Sequence, residues 1–396
     1  MGCSKSRKRG TKMKGHIRER SPGKWAIVID VPDPETGQRR RKWHSFHGTK
    51  RQAQVECARL IAELNGGAYI EPDKATVAQF LKRWLDHVKP SVSRKTHERY
   101  AELCEQKLIP ALGTTILIKL KTERIDNALS TALVSGRHDG KGGLSPTTVR
   151  HLRRVLVMAL KQAVVWGLLP KNPAEASKAP KIERKPMAAY DATQTAILLE
   201  AVEGKRLHIP VLLAVMCGLR RGEIAALRWK HVDFTGSRLM VIESAEQTNK
   251  ETHYKEPKSG KGRVVDLPAS VAATLQTHRV KQAENLLLLG IGLTDDNFIV
   301  ADHEGKPLQP RSLTDAWQDL IKGLDLPRIR FHDLRHTHAT QLLAAGVHPK
   351  IASERLGHST IGITLDLYSH VMPGMQANAA AQIDAMISNA VAKKGK

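Results

Sequence analysis

The chain has 396 residues, and its 63 lysines and arginines outnumber its 39 aspartates and glutamates, which gives a formal net charge of +24. This length predicts two or three domains, and a hydrophobic fraction of 41% excludes a disordered basic tail. The excess of positive charge favours nucleic acid as the partner, ahead of a membrane surface and, more distantly, anionic metabolites.

The cysteines and the apolar runs exclude several other classes of protein. The cysteines are Cys3, Cys57, Cys104 and Cys217. They form no CxxC pair, which argues against a disulfide scaffold or a cysteine zinc site and indicates a reducing compartment. No apolar run approaches the ~18 residues of a membrane span, and the start lacks the hydrophobic segment of a secretory signal. Gly2 and Ser6 fit a myristoylation pattern, but the basic residues around them suit a DNA-binding arm as well. We expect a protein of a reducing interior, with no membrane partner.

The first 67 residues predict a small β-sheet with one helix. WAIVIDV (25–31) and KWHSFHG (42–48) have strand composition, and PDPETGQ between them has turn composition. A helical pattern follows and is closed by Gly66 and Gly67. The basic block at the second strand consists of Arg39, Arg40, Arg41 and Lys42. It fits a solvated edge strand and a sheet that grips a DNA groove about equally well.

Residues 75–171 predict an all-helical domain. Apolar residues recur at helical spacing from residue 75, and the segment from Ser145 opens with a capping serine followed by Pro146. Cations and hydroxyls on these helices are candidate phosphate contacts: Arg94, Lys95, Thr147, Thr148, Arg150 and Arg153. The proline- and lysine-rich residues 172–187 are expected to form a linker.

Residues 188–372 predict a mixed α/β domain with mostly helical content. Strand-like segments stand at 237–244 and 262–268, between helical patterns that include MCGLRRGEIAALRW, SLTDAWQDLIKGL and HPKIASERLG. Residues 373–396 form a last helical pattern. We expect this tail helix to dock on a neighbouring subunit, with packing on its own domain as the alternative.

The segment FHDLRHTHAT (331–340) carries three histidines and one arginine. On a helix His332 and Arg335 share a face. The apolar residues are expected on another, buried face: Leu334, Leu342 and Ala345. His332 and His336 are spaced for a metal, but Arg335 would lie between them and repel a dication, so we expect no metal.

Further segments add to this cluster and together resemble the tyrosine recombinases, most closely the phage and mobile-element integrases. The matching residues, in order, are Arg220 in GLRRGE, Lys258 in PKSG, His332 and Arg335 in HDLRH, His358 in LGHS and Tyr368 in LDLYSHV. Each motif alone is weak, and six in the right order are specific. The lysine stays open, because Lys255 and Lys261 stand close to Lys258. The resemblance is strong over 206–371, moderate over 75–180 and looser over 1–67.

The resemblance implies a chemistry that these side chains suit. Arg220 and Arg335 would hold the nonbridging phosphate oxygens. Tyr368 would be the nucleophile, since a phenol with a pKa of about 10 leaves more readily than a serine alkoxide. Lys258 would protonate the departing 5′ oxygen, His332 would be the base or relay for the tyrosine, and His358 would donate to a phosphate oxygen.

Two carboxylates and the absence of cofactors complete this expectation. Glu223 and Asp333 would orient arginine or histidine side chains. The bond energy would be kept in a 3′-phosphotyrosine link, so that neither metal, ATP nor any other cofactor is expected.

The expected protein is therefore multidomain and mainly α. It has a small N-terminal arm-binding sheet plus helix (1–67), an all-α core-site-binding domain (75–171) and a mixed α/β catalytic domain (188–372). Its expected partners are double-stranded attachment sites, three further copies in a tetramer on DNA, a host bending protein and a directionality factor. A type IB-like topoisomerase and a non-catalytic DNA-binding regulator are the alternative functions, and a zinc-dependent nuclease is disfavoured.

Overall fold

The computed structural model describes residues 15–32, 39–65, 75–137, 139–182, 188–249, 251–257, 260, 262–365, 380–381 and 383–388. The chain divides into two compact units, Met1–Glu183 and Arg184–Lys396. The finer boundaries expected from the sequence remain predictions. Within the described part, no helix has both the length and the apolar composition that crossing a bilayer would require.

The first unit begins with a three-stranded antiparallel sheet of order β1-β2-β3 and a helix. Its elements are β1 (Gly15–Ser21), β2 (Lys24–Pro32), β3 (Arg39–His47) and α1 (Lys50–Asn65). Ile27 and Ile29 of β2 pack against Cys57 and Leu60 of α1 and form a small core of their own. The two strands and the helix predicted here are confirmed.

The rest of this unit is helical. Its helices are α2 (Val77–Val88), α3 (Arg94–Leu103), α4 (Ile109–Leu112), α5 (Thr122–Ser135) and α6 (Pro146–Val165). Ser145 caps α6 by accepting a hydrogen bond from the backbone N–H of Thr148, and Pro146 occupies the first turn, as predicted. Leucines and valines of α2, α5 and α6 share one core.

The segment expected to be a linker is anchored at its start. Ala174 and Ser177 are buried at 0% and 5% exposure, and Ala174 belongs to the helical core. Arg153 donates from Nε to the carbonyl and the hydroxyl of Ser177 at 2.9 Å each, and from Nη2 to the carbonyl of Glu175 at 2.9 Å. Residues 172–177 are therefore part of the helical fold rather than a free tether.

The second unit is mostly helical around short antiparallel strands. Its helices are α7 (Ala192–Val202), α8 (His208–Cys217), α9 (Arg221–Ala226), α10 (Ala269–Leu288), α11 (Pro310–Lys322), α12 (Asp333–Ala344) and α13 (Pro349–Leu356). Its strands are β4 (Val232–Asp233), β5 (Arg238–Val241), β6 (Ser244–Gln247), β7 (Thr252–Lys255) and β8 (Arg263–Asp266). The strands pair as β4-β5-β8 and as the β6-β7 hairpin.

Helix α8 lies at the centre of the second unit. Eight of its ten residues are buried, as expected for a helix that is apolar on every side. The core around it includes Trp229 and Trp317, whose indole N–H groups donate to Gln282 Oε1 and to the carbonyl of Ile329, both at 2.8 Å. This packing fixes the segments on either side of α8 that carry the candidate site. The mainly helical, multidomain fold class predicted from the sequence is confirmed.

One expectation for the second unit needs correction, namely the buried face of α12. Leu334 is buried, but Ala345 is exposed and Leu342 is only half-buried, while Arg335 itself is 3% exposed. The guanidinium of Arg335 therefore points into the protein. Leu343 is buried in the core, where Leu342 and Ala345 were expected.

The described residues of the C-terminal tail, 380–381 and 383–388, are helical. Ile383, Met386 and Ile387 are 56%, 67% and 54% exposed.

Candidate active site

Arg335 is a buried cation in the first turn of α12. Its Nη1 donates to the carbonyl of Gly218 at 2.6 Å and its Nη2 to the carbonyl of Leu356 at 2.5 Å. Burial, followed by the positive charge of Arg220, lowers the pKa of Arg335 to about 9. The group keeps its proton at neutral pH, and both hydrogen bonds end on neutral carbonyl oxygens. It therefore has unused capacity for an anion.

Arg220 stands directly before α9 and is tied to a buried carboxylate. Glu223 is 1% exposed and accepts from the backbone N–H of Arg220 at 2.9 Å and from its Nη1 at 2.8 Å. The Nη2 of Arg220 donates to the carbonyl of Gly357 at 2.7 Å. The predicted orienting carboxylate and the first predicted arginine thus lie in contact.

A third arginine completes this cluster, and the sequence reasoning missed it. Arg263, at the start of β8, donates from Nη1 and Nη2 to the two carboxylate oxygens of Glu223 at 3.0 and 2.7 Å. Its Nε donates to the carbonyl of Arg355 at 2.9 Å. Burial alone would raise the pKa of Glu223, but the bonds and charge of Arg263 and then of Arg220 outweigh it and hold that pKa at about 2.

His358 follows the last turn of α13 and is electrically neutral. Burial, then the charges of Arg335 and Arg220, lower its pKa to about 4. Its Nδ1 lies 2.8 Å from the hydroxyl of Thr364, a fully buried residue that the motifs did not single out. The hydroxyl fixes the plane of the ring, which leaves the Nε2 edge for another partner.

The three histidines of the segment FHDLRHTHAT (331–340) have separate surroundings. The rings of His332 and His336 meet edge to face, 5.3 Å apart. His332 reaches solvent, yet burial of its ring, then the charges of His336 and Arg335, hold its pKa at about 4. His338 is buried: its Nδ1 donates to the carbonyl of Val215 at 2.7 Å, and its Nε2 accepts from Arg355 at 3.2 Å. His338 is thus a packing residue of α12.

Asp333, the second predicted carboxylate, forms its hydrogen bonds among the described residues with Arg330 rather than with the arginine cluster. Asp333 accepts from the backbone N–H of Arg330 at 2.8 Å and from its guanidinium at 2.7 Å. It orients an arginine, as expected, but one whose side chain is 78% exposed. Its contribution is to hold the turn that leads into α12.

Two of the six motif residues lie outside the described residues: Lys258 and Tyr368. Lys261 lies outside them as well. Lys255, the third open choice for the acid, is on β7 and pairs with Glu246 across the hairpin. The structure therefore brings together Arg220, Arg335 and His358, with His332 one turn before Arg335.

The basic block of β3 is divided between the two faces of its sheet. Arg41 is exposed on the face away from α1, together with Arg20 and Trp43, whose ring lies 5.5 Å from the Arg20 guanidinium. Lys42 is half-buried on the opposite face, and the side chains of Arg39 and Arg40 lie outside the described part. The exposed cations of this face extend to Arg18 of β1, which the sequence reasoning did not include.

The candidate contacts in the helical part are mostly at its surface. Arg94 and Lys95 in the first turn of α3 are exposed, and so are Thr147 and Arg150 in the first two turns of α6. Thr148 is half-buried, and its backbone N–H donates to Ser145. The guanidinium of Arg153 donates to residues 175 and 177, and its contact with DNA stays a prediction.

Comparisons with known proteins agree with this fold. The profile of the Phage integrase family matches residues 189–374, and that of the Phage integrase, N-terminal SAM-like domain matches residues 76–132. A Tyrosine recombinase XerC-like protein of Caldanaerobacter subterraneus subsp. tengcongensis is 26% identical over an alignment of 386 residues that covers 91% of this chain and 95% of that relative.

Two solved structures share the fold. The integrase of transposon Tn1549, in complex with a circular intermediate DNA, has a TM-score of 0.65 at 23% identity and covers 78% of this chain and 99% of its own. Lambda integrase, as a tetramer bound to a Holliday junction, has a TM-score of 0.58 at 20% identity. The match covers 89% of this chain and 94% of the lambda integrase chain.

The fold and these likenesses define an enzyme that breaks and rejoins DNA strands. The chain belongs to the tyrosine recombinase family, and its function is site-specific recombination of mobile elements.

Proposed function

We propose that this chain integrates and excises a mobile element by cleaving each strand through a 3′-phosphotyrosine at Tyr368. One observation carries the proposal: three guanidiniums act on the buried carboxylate of Glu223, those of Arg220 and Arg263 by hydrogen bonds and that of Arg335 by its charge. This leaves a local excess of positive charge inside the protein. Buried charge is retained where a partner offsets it, and a phosphodiester brings the missing negative charge.

Arg220 and Arg335 are the proposed phosphate ligands. Each already donates to a carbonyl at the C-terminal end of α13, at 2.7 Å from Arg220 to Gly357 and at 2.5 Å from Arg335 to Leu356. These bonds fix the guanidinium planes before substrate arrives, so the remaining N–H groups need no reorganisation. Charge that develops on the nonbridging oxygens during attack is then stabilised by donors already in place.

His358 is the proposed third donor to the phosphate. A neutral imidazole carries one proton, and a proton at Nε2 requires Nδ1 to accept a hydrogen bond. The hydroxyl of Thr364, 2.8 Å from Nδ1, can supply that bond. In this arrangement Nε2–H donates to a phosphate oxygen and adds no further positive charge to the site.

The nucleophile, base and acid follow the motif order. His332 is neutral at physiological pH because of its low pKa, so it can take the phenolic proton of Tyr368. The arriving phosphate would raise that pKa and make the ring a better base. Lys258 protonates the 5′ oxygen as it leaves. Lys255 is less suited, because its ammonium is paired with Glu246. The released 5′ hydroxyl of a partner strand reverses the step, so that no water or external energy source is consumed.

The partners proposed for this chain are DNA attachment sites and three further copies of itself. Support for the assembly comes from the lambda integrase tetramer on a Holliday junction and from the exposed apolar residues of the tail helix at 383–387. The outer face of the N-terminal sheet, with Arg18, Arg20 and Arg41, is the proposed arm-site surface. The exposed starts of α3 and α6 are the proposed core-site surface.

The remaining proposals concern the cellular setting and the fine division of the chain. We retain the five parts expected from the sequence (1–67, 75–171, 172–187, 188–372 and 373–396), with the change that residues 172–177 belong to the helical part. Separate cores in the N-terminal sheet and in the helical part support the first boundary. A bacterial cytoplasmic location, a host DNA-bending protein and a directionality factor complete the proposal.

A nicked suicide duplex built from the DNA flanking the gene tests this function. Wild-type protein, without added metal, is expected to form a covalent adduct on the 3′ side, whereas Tyr368→Phe binds the same duplex and forms none. A non-catalytic regulator would give no adduct with either protein. A type IB-like topoisomerase would form the adduct but relax supercoils without pairing two sites. Adduct formation by Tyr368→Phe would refute the assigned nucleophile.

A further inference from the structure

Arg263 occupies a buried position between two parts of the candidate site. Its side chain is 10% exposed and that of its carboxylate partner Glu223 is 1% exposed. It uses three N–H groups: two on the two oxygens of Glu223, and Nε on the carbonyl of Arg355 in the last turn of α13. One planar guanidinium therefore joins the start of α9 to the end of α13.

The end of α13 is held by three arginines in succession. The carbonyls of Arg355, Leu356 and Gly357 each accept from a different guanidinium, those of Arg263, Arg335 and Arg220 respectively. Helix C-termini carry unpaired carbonyls and partial negative charge, so cations are favourable there. Arg335 and Arg220 are proposed to bind phosphate, and Arg263 is the member of the three that has no such task.

Gly357 shows how closely Arg263 is fitted to this turn. Its φ is +64°, a left-handed conformation, and a Cβ placed there would lie 2.9 Å from Cδ of Arg263 and 3.2 Å from Nε. The arginine side chain thus lies directly on the backbone that precedes His358. Moving Arg263 would release both the orientation of the Glu223 carboxylate and the position of this turn.

We infer that Arg263 is a positioning residue for DNA cleavage: through Glu223 it orients Arg220, and through the last turn of α13 it places His358. The inference rests on the proposed function, because Arg220 and His358 act on the phosphate only if the chain cleaves DNA as proposed. Arg263 itself touches no reacting atom. It acts by aligning Arg220 and His358, which do contact the phosphate in the proposed reaction. Misplacement of such groups by about 1 Å can lower the rate about 100-fold.

The test is single-turnover cleavage of the nicked suicide duplex by Arg263→Met and Arg263→Lys, with DNA affinity and thermal unfolding measured alongside. Arg263→Met is expected to cleave roughly 10- to 100-fold more slowly at saturating DNA, with its Kd for the duplex within about twofold of wild type. Arg263→Lys keeps the charge but cannot reach both oxygens of Glu223 and the carbonyl of Arg355 together. It is expected to recover only part of the rate.

A matched control separates positioning from general support of the fold. Arg228 is also partly buried, donates to the carbonyl of Asp296 at 2.9 Å, and lies 4.1 Å over the ring of Phe298. Arg228→Met is expected to lower the melting temperature while cleavage by the folded protein stays within about twofold of wild type. A double variant, Arg263→Met with Glu223→Gln, is expected to lose less than the product of the two single losses, because the two side chains act on Arg220 together.

Three results would overturn the inference. Arg263→Met could cleave like wild type, it could lose DNA affinity as much as rate, or Arg228→Met could slow cleavage equally. An absence of adduct with the wild-type protein is a different outcome: the proposed function would then fail, and the inference with it.

Discussion

The buried carboxylate of Glu223 gives the clearest energetic prediction. Its pKa is lowered from 4.5 to about 2, and one pKa unit corresponds to about 1.4 kcal/mol, so folding favours the ionised form by about 3 kcal/mol. Glu223→Gln removes the negative charge between Arg220 and Arg263, and breaking a buried pair in this way costs about 3–5 kcal/mol. For a unit of this size we expect the melting temperature to fall by about 10 °C.

The pH dependence has a definite sign. Because the folded pKa is depressed, the stabilising contribution is fully present above the unfolded pKa of 4.5 and is lost as the pH falls towards 2. The difference in unfolding free energy between wild type and Glu223→Gln should therefore be constant from pH 8 to about 5.5 and shrink below 4.5.

Urea unfolding across this pH range measures the difference. Asp319→Asn is the control, because its ion pair with Lys322 is at the surface, with side chains 76% and 63% exposed. Such a pair contributes about 0–1 kcal/mol. A Glu223→Gln protein as stable as this control at pH 7, or a difference that stays unchanged below pH 4.5, would refute the reasoning.

The other predictions address the histidine, the arm-site surface and the tail. Thr364→Val removes the hydroxyl beside Nδ1 of His358, so single-turnover cleavage should slow by about tenfold with DNA affinity unchanged; Thr364→Ser should restore it, and equal rates for all three proteins would contradict the role. Replacing Arg18 and Arg20 together by glutamine should weaken binding to arm-site duplexes and reduce the slope of log Kd against log salt by up to about 2, while core-site binding stays the same; an unchanged slope would exclude this face. Truncation at Pro373 should abolish cooperative assembly on paired sites but leave single-site binding, as gel-shift titrations would show; assembly as in the full chain would argue that the tail packs on its own domain.

Local sequence signals predicted the elements in which apolar runs or capping residues are pronounced. The run WAIVIDV is the central, buried strand β2, and the Ser145-Pro146 pair does begin α6. Strand β1 was missed, since GHIRERS offers one large apolar residue, Ile17, in seven. Helix α10 was missed too: few of its twenty residues are buried, so its apolar periodicity is weak.

The sequence predicted only part of the candidate site. Motif order found Arg220, Arg335 and His358, which the fold brings together from three separate segments. Arg263 and Thr364 belong to the same site through contacts 40 and six residues apart in sequence, and no local pattern marks such pairs. The expected burial of Leu342 and Ala345 was wrong because helical spacing shows which residues share a face, not which face is buried.

The carbonyl-only bonding of Arg335 has a consequence for the enzyme when no DNA is bound. A buried cation whose hydrogen bonds end on carbonyls, and which shares the charge of Glu223 with two other arginines, costs free energy in every molecule that waits for its substrate. DNA that supplies the phosphate relieves this cost, so the substrate also acts as a stabilising ligand of the native state. Enzyme without DNA should then be degraded by proteases faster than enzyme bound to DNA.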